Sequence, residues 1–342
     1  MKALVLEEYN KFVYKDIDNP VANSYEVLVE IKAVGICGSD VHGMDGSTGR
    51  RMPPIIMGHE ASGIIIETGK NVSGWNIGDR VTFDSTIYKL DDWYTRKGQY
   101  NLSDNRMVLG VSCKDYRRDG AFAQYVTIPS HILYRLPDNV SFEQAAMVEP
   151  VAVALHSVNL SGVKINDTTV VFGSGMIGLF IIQLLKQAGC NVIAVDMLKE
   201  KLDLAKIAGA DIVLNAETDD VAGEIRKHTE NRGADFAFEA VGITPTIKSA
   251  IESLRKGATL ILVGNLSASI DFPLQKVVTQ EINVKGSCAI NGEYPAVLDL
   301  ISKGKINVDS MISVVAPMSE GALYFEKLHR KEQGLLKVIL KP

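Results

Sequence analysis

Two polar residues, His59 and Glu60, stand side by side in a small and apolar stretch, PPIIMGHEASGIIIETG, with Gly58 before them and Gly63 after. Both side chains are costly to bury without a partner. The glycines suit a crowded backbone with little room for solvent. A metal ion is one partner that satisfies both, because a thiolate, an imidazole and carboxylates form a zinc ligand set. Cys37, in GICGSDVHG, supplies the thiolate, and Glu149, in MVEPVAVALH, is a further carboxylate in apolar surroundings just before Pro150. Cys37, His59 and one or two of Glu60 and Glu149 would make a mononuclear site with an open position, the catalytic rather than the closed structural pattern. Taken alone, a satisfied core histidine beside an exposed glutamate is the plainer alternative.

A second constellation lies in VVFGSGMIG, where Gly173, Gly175 and Gly178 keep the G-x-G-x-x-G spacing. It follows a strand pattern, TTVVFG, and opens a helical one, MIGLFIIQLLKQAG; Asp196 closes the next strand, NVIAVD. In that context the glycines read as a dinucleotide site. Gly173 permits the tight turn, Gly175 lets a pyrophosphate approach, and Gly178 lets the helix pack on the sheet. The helix start at Met176 and Ile177 offers free N–H groups and a partial positive charge to the phosphates. Asp196 would accept hydrogen bonds from ribose hydroxyls and repel a 2′-phosphate, favouring NAD over NADP, a preference that Lys199 and Lys201 soften.

The elements that must position these residues fall into two textures. The first 130 residues are β-rich, with EVLVEIKAVGI, ASGIIIETG, DRVTF and FAQYVTI as short Val/Ile/Thr runs between turns, a barrel-like pattern. Residues 84–120 read as a polar excursion. A capping box, SFEQ, starts a helix at Ser141, which Pro150 should kink or interrupt. From residue 168 strands and helices alternate, which predicts a parallel doubly wound sheet. The expected organisation is a β domain of residues 1–152 and 293–342 with a cofactor domain of residues 153–292.

Composition excludes several classes. The chain has 342 residues, 46% hydrophobic and 23% charged, as in ordinary globular proteins. A formal net charge of −5 gives no reason to expect nucleic acid as a partner. The longest apolar run, MIGLFIIQLL, is about half a bilayer span, so no membrane segment is expected. MKALVLEEYN is no secretory leader. Cys37, Cys113, Cys190 and Cys288 are widely spaced with no C-x-x-C, which fits reduced thiols in a cytoplasmic protein.

Over essentially its whole length the sequence resembles the zinc-containing medium-chain dehydrogenases. GHEASGIIIETGKNV fits that family's zinc signature, CGSDVH resembles its first-ligand segment, and FGSGMIG with VD its cofactor segment. MVEPVAVALH resembles the polyol-type branch, where Glu-Pro replaces a ligand cysteine. The resemblance implies a GroES-like β-barrel catalytic domain and a Rossmann NAD domain. It implies a catalytic zinc among Cys37, His59 and Glu60 or Glu149, with both glutamates and a water able to exchange, and Asp40 orienting the ligand histidine. Ser39 would be the first proton-relay hydroxyl and His42 the relay base. Val241 would lie near the adenine, Val263 and Gly264 near the nicotinamide, and Lys337 would contact the pyrophosphate. A homo-oligomer, dimer or tetramer, is expected.

There is one departure. The family's structural-zinc lobe corresponds to KLDDWYTRKGQYNLS, where the four cysteine positions hold Lys89, Asp92, Thr95 and Ser103. One zinc per chain follows, with the lobe held by packing of Trp93, Tyr94 and Tyr100 and by local hydrogen bonds. The implied activity is reversible hydride transfer between NAD and a polyol, sugar-derived or secondary alcohol; a simple primary alcohol or aldehyde is the nearest alternative. A zinc-free quinone or enone reductase and a catalytically silent NAD binder are the competing classes. The ligand set Cys37, His59, Glu60 and Glu149 argues against both. Loops 43–54 and 287–294 should shape the substrate pocket, and Arg50, Arg51, Arg117 and Arg118 are candidates to meet an anionic substrate.

Overall fold

A computed structural model describes residues 1–342, and the chain divides into two compact units: Met1–Glu149 with Ile290–Pro342, and Pro150–Ala289. Both crossings fall slightly earlier than the change of sequence texture suggests.

The first unit is built on a seven-stranded sheet. Its centre is Glu26–Gly35, whose Val- and Ile-rich residues are mostly buried. Such β-branched side chains fit a pleated surface covered on its faces. Glu60–Thr68, Lys337–Lys341 and Tyr125–Pro129 all pair with it. Leu4, Leu6, Val27, Val29, Ile65, Phe83, Phe122 and Phe325 form the core beneath, each worth about 1.5–3 kcal/mol of burial. The register sets up the site. Gly35 lies opposite Glu60 on one neighbour and Ile339 on the other, so three strand ends bring Cys37, Glu60 and Lys337 together.

In the second unit six strands run parallel, in the order Ile212–Asn215, Asn191–Asp196, Thr168–Phe172, Ala234–Glu239, Leu254–Leu262 and Asn283–Gly286. The chain order reverses beside Thr168–Phe172, at its border with Ala234–Glu239. That reversal is the switch point where doubly wound sheets bind ligands.

The capping box at Ser141 forms, its Oγ accepting from Gln144 N (3.1 Å) and Gln144 Oε1 accepting from Ser141 N (3.0 Å). The helix it starts ends at Ala146, and a second runs Val148–Ser161. The break therefore precedes Pro150. Pro150 sits in the first turn of the second helix, where a missing N–H breaks no intrahelical bond. No helix is long and apolar enough to cross a membrane.

Candidate active site

Cys37 is the N-cap of a short helix, Gly38–Gly43, that follows the central strand. Its Sγ accepts from Ser39 N (3.4 Å) and Ser39 Oγ (3.2 Å). His59 and Glu60, at the start of the neighbouring strand, are buried at 5% and 1% exposure. One ligand atom from each of Cys37, His59 and Glu60 lies within 4.8 Å of the others. Donors around a tetrahedral zinc, at about 2.0–2.3 Å each, sit roughly 3.5 Å apart, so small side-chain adjustments close the set. The electrostatics fit a cation. Burial, then the Glu60 charge, push the Cys37 thiol well up. A divalent ion would reverse both effects.

Glu60 has a second partner. Its Oε2 accepts from Lys337 Nζ at 2.6 Å, and the ammonium also reaches Ile36 O at 3.1 Å. Burial disfavours charge on Lys337, but Glu60 and Cys37 outweigh it and its pKa is raised. A Cβ on Gly35 would come 2.5 Å from Glu60 Oε2, so only glycine leaves that carboxylate its place. The pyrophosphate role expected of Lys337 meets an ammonium already engaged by Glu60 beside Cys37.

Of the two glutamates left open by the sequence, Glu60 joins the three-donor cluster and Glu149 does not. Glu149 is half-buried, and its Oε1 accepts from Ser85 Oγ at 3.1 Å. Burial, partly offset by His59 and reinforced by Glu60, pushes its carboxyl up to about 7. Asp40 is wholly buried, with Oδ2 3.6 Å from His59 Nδ1, and neither atom has a hydrogen-bond partner. Ser39 and His42 are exposed on the short helix.

The glycine loop is shaped as a cradle. Gly173 has φ +91°, and a Cβ there would strike Val241 at 2.5 Å. A Cβ on Gly178 would meet Gly173 O at 1.8 Å, which is the close helix–strand approach expected of that glycine. Gly175 faces open space at the start of the helix Met176–Gln187. Ile177 lies in that first turn. Asp196 accepts from Ser174 N (2.8 Å) and Leu198 N (3.0 Å), tying the second strand's end to the glycine turn. Val263 and Gly264 both donate to Glu239 O, and Gly264 packs on Val241. Lys201 is half-buried on the helix Lys199–Ile207.

Sequence reasoning missed Ser85 and named Arg51 and Lys337 for other roles, an anionic substrate and the pyrophosphate, rather than as partners of Asp40 and Glu60. A lysine inside LLKVIL, apolar on both sides, was the one available signal for a buried ammonium.

A thiolate–imidazole–carboxylate centre in a β unit, joined in one chain to a dinucleotide-type sheet, defines a metal-dependent nicotinamide oxidoreductase. Residues 23–138 match the alcohol dehydrogenase GroES-like domain and residues 177–303 the zinc-binding dehydrogenase domain. The chain is 32% identical to D-arabitol-phosphate dehydrogenase of Enterococcus avium, covering 97% of this chain and 94% of that one. It is 32% identical to (R,R)-butanediol dehydrogenase of Bacillus subtilis over the full length of both. A solved Sinorhizobium meliloti 1021 structure, described as a zinc-binding dehydrogenase with NADP, superposes with a TM-score of 0.91 at 29% identity, covering 100% of this chain and 99% of that one. The chain belongs to the zinc-binding alcohol dehydrogenase family and is an enzyme acting on CH–OH donors.

Proposed function

We propose that the enzyme reversibly oxidises a secondary hydroxyl of an uncharged polyol or diol, using NAD and a single zinc held by Cys37, His59 and Glu60. The buried three-donor cluster with the Ser39 hydroxyl beside it is the observation that carries this proposal. Bound zinc would supply Lewis acidity toward the substrate hydroxyl, and a bound nicotinamide the hydride acceptor. As the C–H bond breaks, the O–H proton passes to Ser39 Oγ and out through exposed His42, whose imidazole suits the outer step. Glu149, held by Ser85, stands by as an exchangeable carboxylate.

Charge supports an uncharged substrate. Around the cluster Cys37, Asp40, Glu60 and Glu149 are acidic, and Lys337 and Arg51 are cationic. With a dication bound and every acid ionised, Glu149 included, these charges cancel, leaving little excess positive charge for a phosphate. Three of the four arginines proposed for an anion have other partners, Arg51 on Asp40, Arg117 on Asp119 and Arg118 on Glu26, while the exposed Arg50 has none. Asp196 at the end of its strand supports NAD over NADP. The sheet's edge strand Asn283–Gly286 is exposed throughout, with Val284 on it and Leu274 and Val278 exposed on the preceding helix. That unpaired edge supports a homo-oligomer. Four free cysteines support a cytoplasmic location.

The test is zinc content together with NAD and NADP reduction over neutral polyols, vicinal diols and their phosphates. About one zinc per chain, and turnover of neutral substrates with NAD, is expected. Preference for a phosphorylated substrate would overturn the charge argument, and zinc-free turnover would overturn the mechanism.

A further inference from the structure

We infer that Arg51 is a positioning residue of the metal centre: it fixes Asp40 against His59 and sets the orientation of the Ser39 hydroxyl. The inference rests on the zinc proposal above and deepens it. Arg51 lies in the loop before the His-Glu pair and is only 4% exposed. Its guanidinium places both Nε (2.9 Å) and Nη2 (2.7 Å) on one oxygen of Asp40, Oδ1. Nη1 donates to Arg50 O at 3.0 Å. Nη2 also reaches Ser39 Oγ at 3.3 Å.

The fold makes room for this side chain and pins its backbone. A Cβ on Gly43 would come 2.6 Å from Arg51 Cγ, so the short helix carrying Ser39 and Asp40 ends in the residue that admits it. Met52 N donates to Ser112 O (2.9 Å) and Ser112 N to Arg50 O (3.3 Å), clamping residues 50–52 from both sides.

Two consequences follow from the guanidinium being a donor only. First, holding Asp40 by Oδ1 leaves Oδ2 with no partner, 3.6 Å from the equally unpartnered His59 Nδ1. Buried polar atoms without partners need an explanation. A ligand histidine supplies it: with Nε2 on a metal, Nδ1 carries the hydrogen and Oδ2 is its acceptor. Second, the donation to Ser39 occupies one lone pair of that hydroxyl. At rest its single hydrogen then points to Cys37 Sγ, 3.2 Å away, and it is this hydrogen that turns outward toward His42 as the remaining lone pair takes the substrate's proton.

The test is zinc affinity of the full chain, by competition with a chromophoric chelator, and the visible spectrum of the cobalt form. The variants are Arg51→Met, Arg51→Lys, Asp40→Asn and the double variant Arg51→Met/Asp40→Asn. Arg51→Met should weaken zinc binding by about 10- to 100-fold and shift the cobalt–thiolate band, because Ser39 bonds Cys37. Arg51→Lys, which keeps charge without the fork, should fall between. The double variant should bind zinc about as weakly as Asp40→Asn does, since Arg51 sets affinity mainly through Asp40, while its cobalt band shows the added shift of the Ser39 route. If Arg51→Met fails to fold because Asp40 loses its counter-charge, the double variant carries the test: affinity equal to wild type and an unchanged cobalt band would overturn the inference. So would a folded Arg51→Met with both readouts unchanged. Failure of the wild type to bind zinc more tightly than Cys37→Ala would instead overturn the zinc proposal, and the inference with it.

Discussion

Around Cys37, His59 and Glu60 the chain presses acidic groups together in a buried space, and each raises the cost of charging the next. In the lobe from Lys89 to Ser103, where the resemblance expects a second zinc, the four cysteine positions hold residues with no such crowding. Asp92 uses both oxygens on the backbone, accepting from Tyr94 N, Thr95 N and Asp104 N. The lobe is tied down instead by Tyr100. Its hydroxyl donates to Asp84 Oδ2 (2.6 Å), accepts from Gly292 N (2.8 Å), and its ring stacks on Tyr88 at 4.3 Å. Asn291 Nδ2 adds a bond to Gly98 O. The Cys37 cluster crowds like charges that a cation would relieve; in the lobe Asp92 and Tyr100 have found partners without one, although Thr95 Oγ1 is buried with none.

The largest expected effect tests the first half of that contrast. Cys37→Ala should lose the zinc and reduce turnover by at least about 100-fold, since even an outer partner of a metal ligand is worth 10–100-fold. Asp92→Ala should leave metal content unchanged, as measured by atomic emission on dialysed protein. A metal lost from Asp92→Ala would mean the lobe is a metal site after all.

The next effect is a pH dependence inside the lobe's anchor. Burial, against hydrogen bonds from Tyr100 and Thr86, raises the Asp84 carboxyl to about 6. A carboxyl raised in the folded state stabilises the fold fully below its unfolded value near 4, and that contribution is lost as pH rises through about 6. The difference of about two units corresponds to about 3 kcal/mol. Asp84→Asn should therefore gain about that much relative to wild type between pH 4 and pH 7. Urea unfolding of both zinc-saturated proteins at the two pH values reads it, because the dependence of the metal centre is common to both. A relative stability that is flat with pH would show that Asp84 is ionised as readily folded as unfolded.

Tyr100→Phe should come third. It leaves Asp84 Oδ2 buried without its donor, at a cost of about 1–3 kcal/mol, while exposed Gly292 N finds water. Urea unfolding should show the loss, with zinc content and the Michaelis constant unchanged. Loss of zinc in this variant would mean that the anchor and the metal centre are not independent, since Ser85, which holds Glu149, directly follows Asp84.

What the sequence made legible divides along the same line. Chemistry that only a few residue types can perform leaves a local mark. The glycine spacing at Gly173–Gly178 and the Cys37, His59, Glu60 set were both readable that way, as was the strand–helix alternation after residue 168. Partners chosen by geometry leave none. Lys337 meets Glu60 from the far end of the chain, and Tyr100 meets Gly292 across a similar gap. Arg51 read as a candidate for substrate because an arginine's burial is invisible before its counter-ion is placed. Glu149 kept its ambiguity for the same reason, as nothing near it in sequence announces Ser85.

Trp93 gives the smallest effect and the sharpest limit on composition as a guide. The sequence expects it to hold the lobe, since a large aromatic in a polar segment is a natural packing residue. It is instead 63% exposed, edge-on to Tyr94 at 5.0 Å and under Lys97 Nζ at 5.6 Å. A ring so placed contributes an exposed cation–π contact of about 0.5–1 kcal/mol at most. Trp93→Ala should therefore change unfolding free energy by no more than about 1 kcal/mol, at or below the lower end of the Tyr100→Phe loss. A loss clearly larger than that would show that the exposed ring is covered in solution. Because dilution would dissociate a second copy lying on the lobe, a loss that shrinks with dilution would identify that copy as the cover.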